Sequence, residues 1–133
     1  MKRDMMETIT NICSTFCGQA DNIMYALILL VIIDYITGIC AAIHAKSLAS
    51  SVGATGIAKK VAIFLVISVS HIVDQYLINQ ENVLRTVTIM FYISNEGLSI
   101  IENIGRMGVP LPKEITDFLR HLKDFKDAYK KDL

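Results

Sequence analysis

The run Ile23-Met-Tyr-Ala-Leu-Ile-Leu-Leu-Val-Ile-Ile-Asp-Tyr-Ile-Thr-Gly-Ile-Cys-Ala-Ala-Ile43 decides the fold class, because Asp34 is its single charged residue. A helix rises about 1.5 Å per residue, so about 20 residues cross a hydrocarbon core ~30 Å thick. The run is long enough and predicts a transmembrane helix. Two further apolar runs follow it. Val61 to Ile78 is just long enough but contains His71 and Asp74, and Val83 to Ile104 contains Arg85, Asn95, Glu96 and Glu102. Hydropathy alone leaves the third run marginal. Composition agrees with a membrane protein: of 133 residues 53% are hydrophobic, and the mean hydropathy of +0.45 is concentrated in these runs.

Both flanks are amphipathic. Met5, Ile9, Ile12, Phe16 and Ala20 recur at intervals of three or four, which predicts a helix suited to the membrane interface. After the third run Pro110 and Pro112 break any helix. Ile115, Phe118, Leu122, Phe125 and Tyr129 then repeat the spacing among Lys, Arg, Asp and Glu. The expected fold is an all-α integral membrane protein with about three transmembrane helices and amphipathic N-terminal and C-terminal helices. Its parts are an N-terminal segment 1–21, a membrane domain 22–109 and a charged amphipathic tail 110–133. The spans are expected at about 22–44, 60–79 and 83–105. The small-residue stretch Ser47 to Ala58 between the first two spans reads as a flexible turn.

Lysines and arginines near span ends set orientation. The first loop holds Lys46, Lys59 and Lys60 and no acid, and the chain from Gly105 onward holds Arg106, Lys113, Arg120, Lys123, Lys126, Lys130 and Lys131. The N-terminus has Lys2 and Arg3, and the turn Asn79 to Asn82 has neither residue type. With three spans these facts agree on one topology, with the N-terminus outside and the tail in the cytoplasm. With two spans the basic loop and the basic tail would face opposite sides. Charge bias therefore favours a multi-pass protein with three spans.

Several chemistries find little support. The net charge of zero implies no general basic or acidic partner and no nucleic acid. Cys13, Cys17 and Cys40 offer no second closely spaced pair for a metal, and Thr37-Gly38-Ile39 before Cys40 is no lipobox. The first apolar run starts too late and continues too long for a cleaved signal peptide. Gly53, Gly56 and Lys59 lack the spacing of a phosphate-binding loop. No Ser/His/Asp set has a catalytic placement, so no enzyme, catalytic residue, metal or cofactor is expected.

What the spans do carry is buried charge. Each central acid costs about 2.5–3.5 kcal/mol on insertion scales, and Asp34, Asp74 and Glu96 lie near the middle of their runs. Lys60, Phe64, Ile67, His71, Asp74 and Ile78 alternate spacings of four and three and share one face. Arg85, Thr88, Tyr92, Asn95, Ser99, Glu102 and Arg106 do the same on the third run, with Glu96 and Asn103 widening the stripe. Gly38 and Ala42 form a small-xxx-small pair beside Asp34. His71 is read as a partner of Asp74 or Gln75. The candidate pore-lining or helix-contact residues are Asp34, Gly38, His71, Asp74, Arg85, Tyr92, Asn95, Glu96, Ser99, Glu102 and Arg106. A polar stripe must face other helices or water, and both readings stand at this level.

Phe91-Tyr-Ile-Ser-Asn-Glu-Gly-Leu-Ser-Ile-Ile-Glu-Asn-Ile-Gly-Arg-Met-Gly-Val-Pro-Leu-Pro-Lys113 closely resembles the signature of the phage lysis and toxin-secretion holin family. Asp34-Tyr-Ile-Thr-Gly38 is similar to that family too, as are Ser50-Ser-Val-Gly53 with Gly56 and Lys59-Lys60, and Asp74. The resemblance covers roughly residues 22 to 115 and supplies no catalytic residues. It implies a phage or prophage protein of the bacterial cytoplasmic membrane. Such a protein self-associates as a homo-oligomer in the lipid bilayer and opens lesions for an endolysin or toxin cargo. A small oligomeric ion channel or transporter subunit, and an antiholin-type regulator, are the alternatives.

Overall fold

The computed structural model describes residues 1–79 and 81–132, and in the last helix not the side chains of Leu119, Leu122, Lys123, Phe125, Lys126 and Tyr129. Every described element is helical: α1 Lys2–Cys17, α2 Asn22–His44, α3 Ser50–Ile72, α4 Val83–Arg106 and α5 Lys113–Lys131. A π-helical turn, Val73–Ile78, continues α3. Asn22–His44 and Ser50–Ile78 are the two described helices long and apolar enough to cross a membrane. Helix α4 is long enough, but its polar residues take it outside that class.

Helix α3 runs antiparallel to α2 and α4, which run parallel to each other and share the most extensive interface of the bundle. Met24, Leu27, Val31, Ile63, Ile67 and Ile89 form its apolar core. The outside is equally apolar. Leu29, Ile32, Ile36, Leu65, Val69, Val87 and Phe91 are all exposed. The fully buried set, in contrast, includes Arg85 and Asp74 beside Leu27, Ile67 and Ile89. Charge inside and hydrocarbon outside is the arrangement a lipid solvent favours, because buried polar groups then meet partners rather than acyl chains.

The stretch expected to be a flexible turn is largely helix, since α3 begins at Ser50. Tertiary contact overrides the local weakness of glycine here. A Cβ on Gly53 would lie 3.6 Å from Tyr35 Oη, and one on Gly56 would lie 3.6 Å from the same ring. The missing side chains make room for Tyr35 of α2 against α3. The turn before α4 is bounded by Asn79 and Asn82, both at φ 56°, a left-handed conformation asparagine tolerates.

The apolar stripe of α1 is largely exposed at Met5, Ile9, Ile12 and Phe16. Helix α1 is anchored at its C-terminus, where Cys17 Sγ lies 3.1 Å from Ser68 Oγ. In α5 Ile115 is half-buried and Phe118 is exposed. The remaining members of the expected tail stripe, Leu122, Phe125 and Tyr129, have side chains outside the described residues.

Candidate functional site

Two polar layers flank the apolar core. The first is at the end of the bundle where α2 starts, α3 finishes and α4 starts. Helix α4 has no side-chain cap of its own, because its N-cap Asn82 makes no such bond. Asp74 of the π-helical turn takes that role from another element. Its carboxylate accepts from Leu84 N–H at 3.1 Å and from Arg85 N–H at 2.8 Å. Two of the orphan amides at the helix start are satisfied by a negative charge where the helix dipole favours one.

Arg85, 1% exposed, turns the other way and ties α1 to α2. Its Nε donates to Cys17 O at 2.6 Å, Nη2 to Gln19 O at 2.7 Å and Nη1 to Asp21 Oδ2 at 2.9 Å. Asp21 also caps α2 by accepting from Met24 N–H. Partial burial works against the Asp21 charge, but the Arg85 guanidinium and the Met24 amide outweigh it and hold the carboxyl below its ordinary pKa. Gly18 makes the approach possible. It ends α1 at φ 80°, and a Cβ there would stand 2.6 Å from Arg85 Nε, so both conformation and space require glycine.

The second layer lies midway along all three bundle helices. Lys60 Nζ donates to Asp34 Oδ2 at 2.5 Å and to Glu96 Oε2 at 2.8 Å. Asn103 Nδ2 donates to Asp34 Oδ1 and to Thr37 Oγ1, each at 3.1 Å, and Arg106 Nη2 donates to Asn103 Oδ1 at 3.2 Å. Gly38 faces Asn103, whose Nδ2 would be 3.6 Å from an added Cβ. Two carboxylates, one ammonium and one amide from α2, α3 and α4 thus form a single network, with Glu96 only 3% exposed. A charge-assisted pair in low dielectric is strong when its remaining polar atoms are also bonded.

The buried face of α4 is rotated by about one residue from the expected stripe. Arg85, Ile89, Glu96, Ile100 and Asn103 face inward. Tyr92, Asn95 and Ser99 are half-buried, while Glu102 and Arg106 are exposed. Glu96 and Asn103 belong at the centre of that face rather than at its margin, and Ile100 belongs on it. The cause is the partner helix: Lys60 of α3 selects Glu96, and Asp34 and Thr37 of α2 select Asn103. Spacing along α4 does not contain that information.

Among the described residues His71 pairs with neither Asp74 nor Gln75. Its Nδ1 is buried and finds no hydrogen-bond partner among the described residues, because the Asp74 carboxylate is occupied by the α4 amides. Lys60, Asn103, Thr37 and Asp21 complete the two layers and were absent from the expected set. A signal for Lys60 existed: it leads the face that continues through Ile67, His71 and Asp74, in a helix whose neighbours carry acids at the same depth.

The bacteriophage holin family model matches residues 11–124, and the chain belongs to that family. Membership makes it a membrane protein and points to a non-enzymatic one. It is 40% identical over 101 residues to a "Probable holin" of Bacillus phage phi105, covering 76% of this chain and 74% of that one. An uncharacterized 14.9 kDa protein in the nagH 3'region of Clostridium perfringens is 37% identical over 109 residues, with 82% and 83% covered. An uncharacterized protein of Halalkalibacterium halodurans is 39% identical over 110 residues, with 80% and 82% covered. No solved structure matches the chain.

Proposed function

We propose that this protein is a holin that oligomerises in the bacterial cytoplasmic membrane and opens lesions releasing an endolysin or toxin. Family membership and the phage phi105 relative support the role. The observation that carries the mechanism is the Lys60–Asp34–Glu96 network, which satisfies the membrane-buried charges inside one compact subunit. A subunit of this kind accumulates harmlessly, with apolar surface toward lipid. At high density subunits reassemble, and α4 turns its Asn95, Ser99, Glu102 and Arg106 edge toward water. Asp34, Glu96 and Lys60 then exchange partners within one subunit for partners across subunits or for a wet lumen. Helix α4 acts here as the third span. Its exposed Val83, Val87, Met90 and Phe91 suit contact with lipid while Arg85 and Glu96 face inward.

The test is inducible expression in a bacterium carrying a cytoplasmic reporter enzyme, following membrane potential, reporter release and viability together. An abrupt loss of potential after a delay, with reporter release, is the expected result. Loss of potential with the reporter retained would identify a small pore or channel instead. Full viability at high membrane levels would sink the lesion mechanism and leave an antiholin-type regulator.

A further inference from the structure

Helices α2 and α3 touch little, and they leave between them a cleft of about 340 Å³ at the end where they connect. Helix α4 closes its third side with Ser99, Asn103 and Arg106. The walls are mainly small or apolar, and Leu48 and Val52 at the mouth are half exposed. Four charged side chains face this space: Asp34, Lys60, Lys59 and Arg106. The first two are bonded to each other. Lys59 and Arg106 have no carboxylate within ion-pair distance among the described residues. The cleft therefore presents two uncompensated cations above a hydrocarbon lining.

A ligand matching this cleft brings anionic oxygens for Lys59 and Arg106 and an apolar body for the wall. We propose that the cleft binds the phosphodiester headgroup of an anionic phospholipid, with an acyl chain along Ile39, Leu48 and Val52. Guanidinium and ammonium groups both bind phosphate well, the first through its fork of donors. Basic pockets between membrane helices on the cytoplasmic side are suited to such headgroups. Free phosphate shares the oxygens but leaves the apolar wall uncovered. The inference rests on membrane insertion and not on lesion formation, so the expression assay above stands or falls separately.

The experiment is native mass spectrometry of the full-length protein, purified in detergent with equimolar phosphatidylglycerol and phosphatidylcholine of identical chains. Phosphatidylglycerol should be retained in preference. Lys59→Gln and Arg106→Gln should each cut that retention about fivefold, the loss expected for one cation near an anionic lipid surface. Lys46→Gln, outside the cleft, should leave it unchanged. Lys59→Arg and Arg106→Lys should keep the preference, which separates loss of charge from loss of fold. Equal retention of both lipids, or retention indifferent to the two glutamine variants, overturns the proposal. Displacement of the bound lipid by millimolar inorganic phosphate also overturns it, by assigning the cations to a soluble anion.

Discussion

Lys60 faces two carboxylates, and its loss would strand both of them. Asp34 and Glu96 come from different helices and are held close together by one ammonium group. Removing one member of a buried ion pair strands the remaining charge, which typically costs about 3–5 kcal/mol, whereas removing every charge together is often nearly neutral. Lys60→Met should therefore destabilise the purified protein by about 3–5 kcal/mol, measured as loss of helicity in mixed micelles of increasing SDS content. The triple variant Asp34→Asn, Lys60→Met, Glu96→Gln should recover most of that loss. A Lys60→Met protein that unfolds with the parent's midpoint would mean the network contributes nothing to stability.

At the scale of elements, helix α4 starts where another helix tells it to. Its own N-cap provides no side-chain acceptor, and Asp74, in the first turn of the π-helical segment Val73–Ile78, supplies one from the preceding element. Asp74→Ala should release the Leu84 and Arg85 amides, at a cost of about 1–2 kcal/mol for a lost cap, and should raise their hydrogen-exchange rates selectively. Asp74→Asn, which keeps one acceptor, should fall between. Unchanged protection at Leu84 and Arg85 in the alanine variant would remove Asp74 from this role. The same element shows what was legible in advance. The apolar run of α2 and the three-four periodicity of α1 are local properties, and they read directly as helices. Asp34, Asp74, Arg85 and Glu96 stood out because charge in an apolar run is rare. The helical start of α3, the centring of α4 on Glu96 and Asn103, and the role of Lys60 were not legible. Each depends on what the neighbouring helix presents: Tyr35 above Gly53 and Gly56, Lys60 opposite Glu96, and Asp34 with Thr37 opposite Asn103. Pattern along one helix fixes that a polar face must be covered, not which residue sits at its centre.

For the whole molecule, the contacts tie the three bundle helices together at two depths. Asp21, Asp74 and Arg85 bring the start of α2, the end of the long α3 helix and the start of α4 to one end. Lys60, Asp34 and Glu96 then join the same helices halfway along. If α2 and α3 cross the bilayer, the packing of α4 along α2 at both depths supports the proposed third span although its hydropathy is marginal. In the proposed topology, with basic residues retained in the cytoplasm, the α3–α4 turn is expected outside, and the α2–α3 connection and the segment after α4 are expected inside. Single-cysteine variants test this in a background where Cys13, Cys17 and Cys40 are replaced by serine. A membrane-impermeant maleimide added to intact cells before any lysis should label Glu81→Cys. It should reach Lys46→Cys and Gly108→Cys only after permeabilisation. Labelling of Glu81→Cys and Gly108→Cys together in intact cells would mean that α4 does not cross, and the third helix would have to enter the membrane only when subunits assemble.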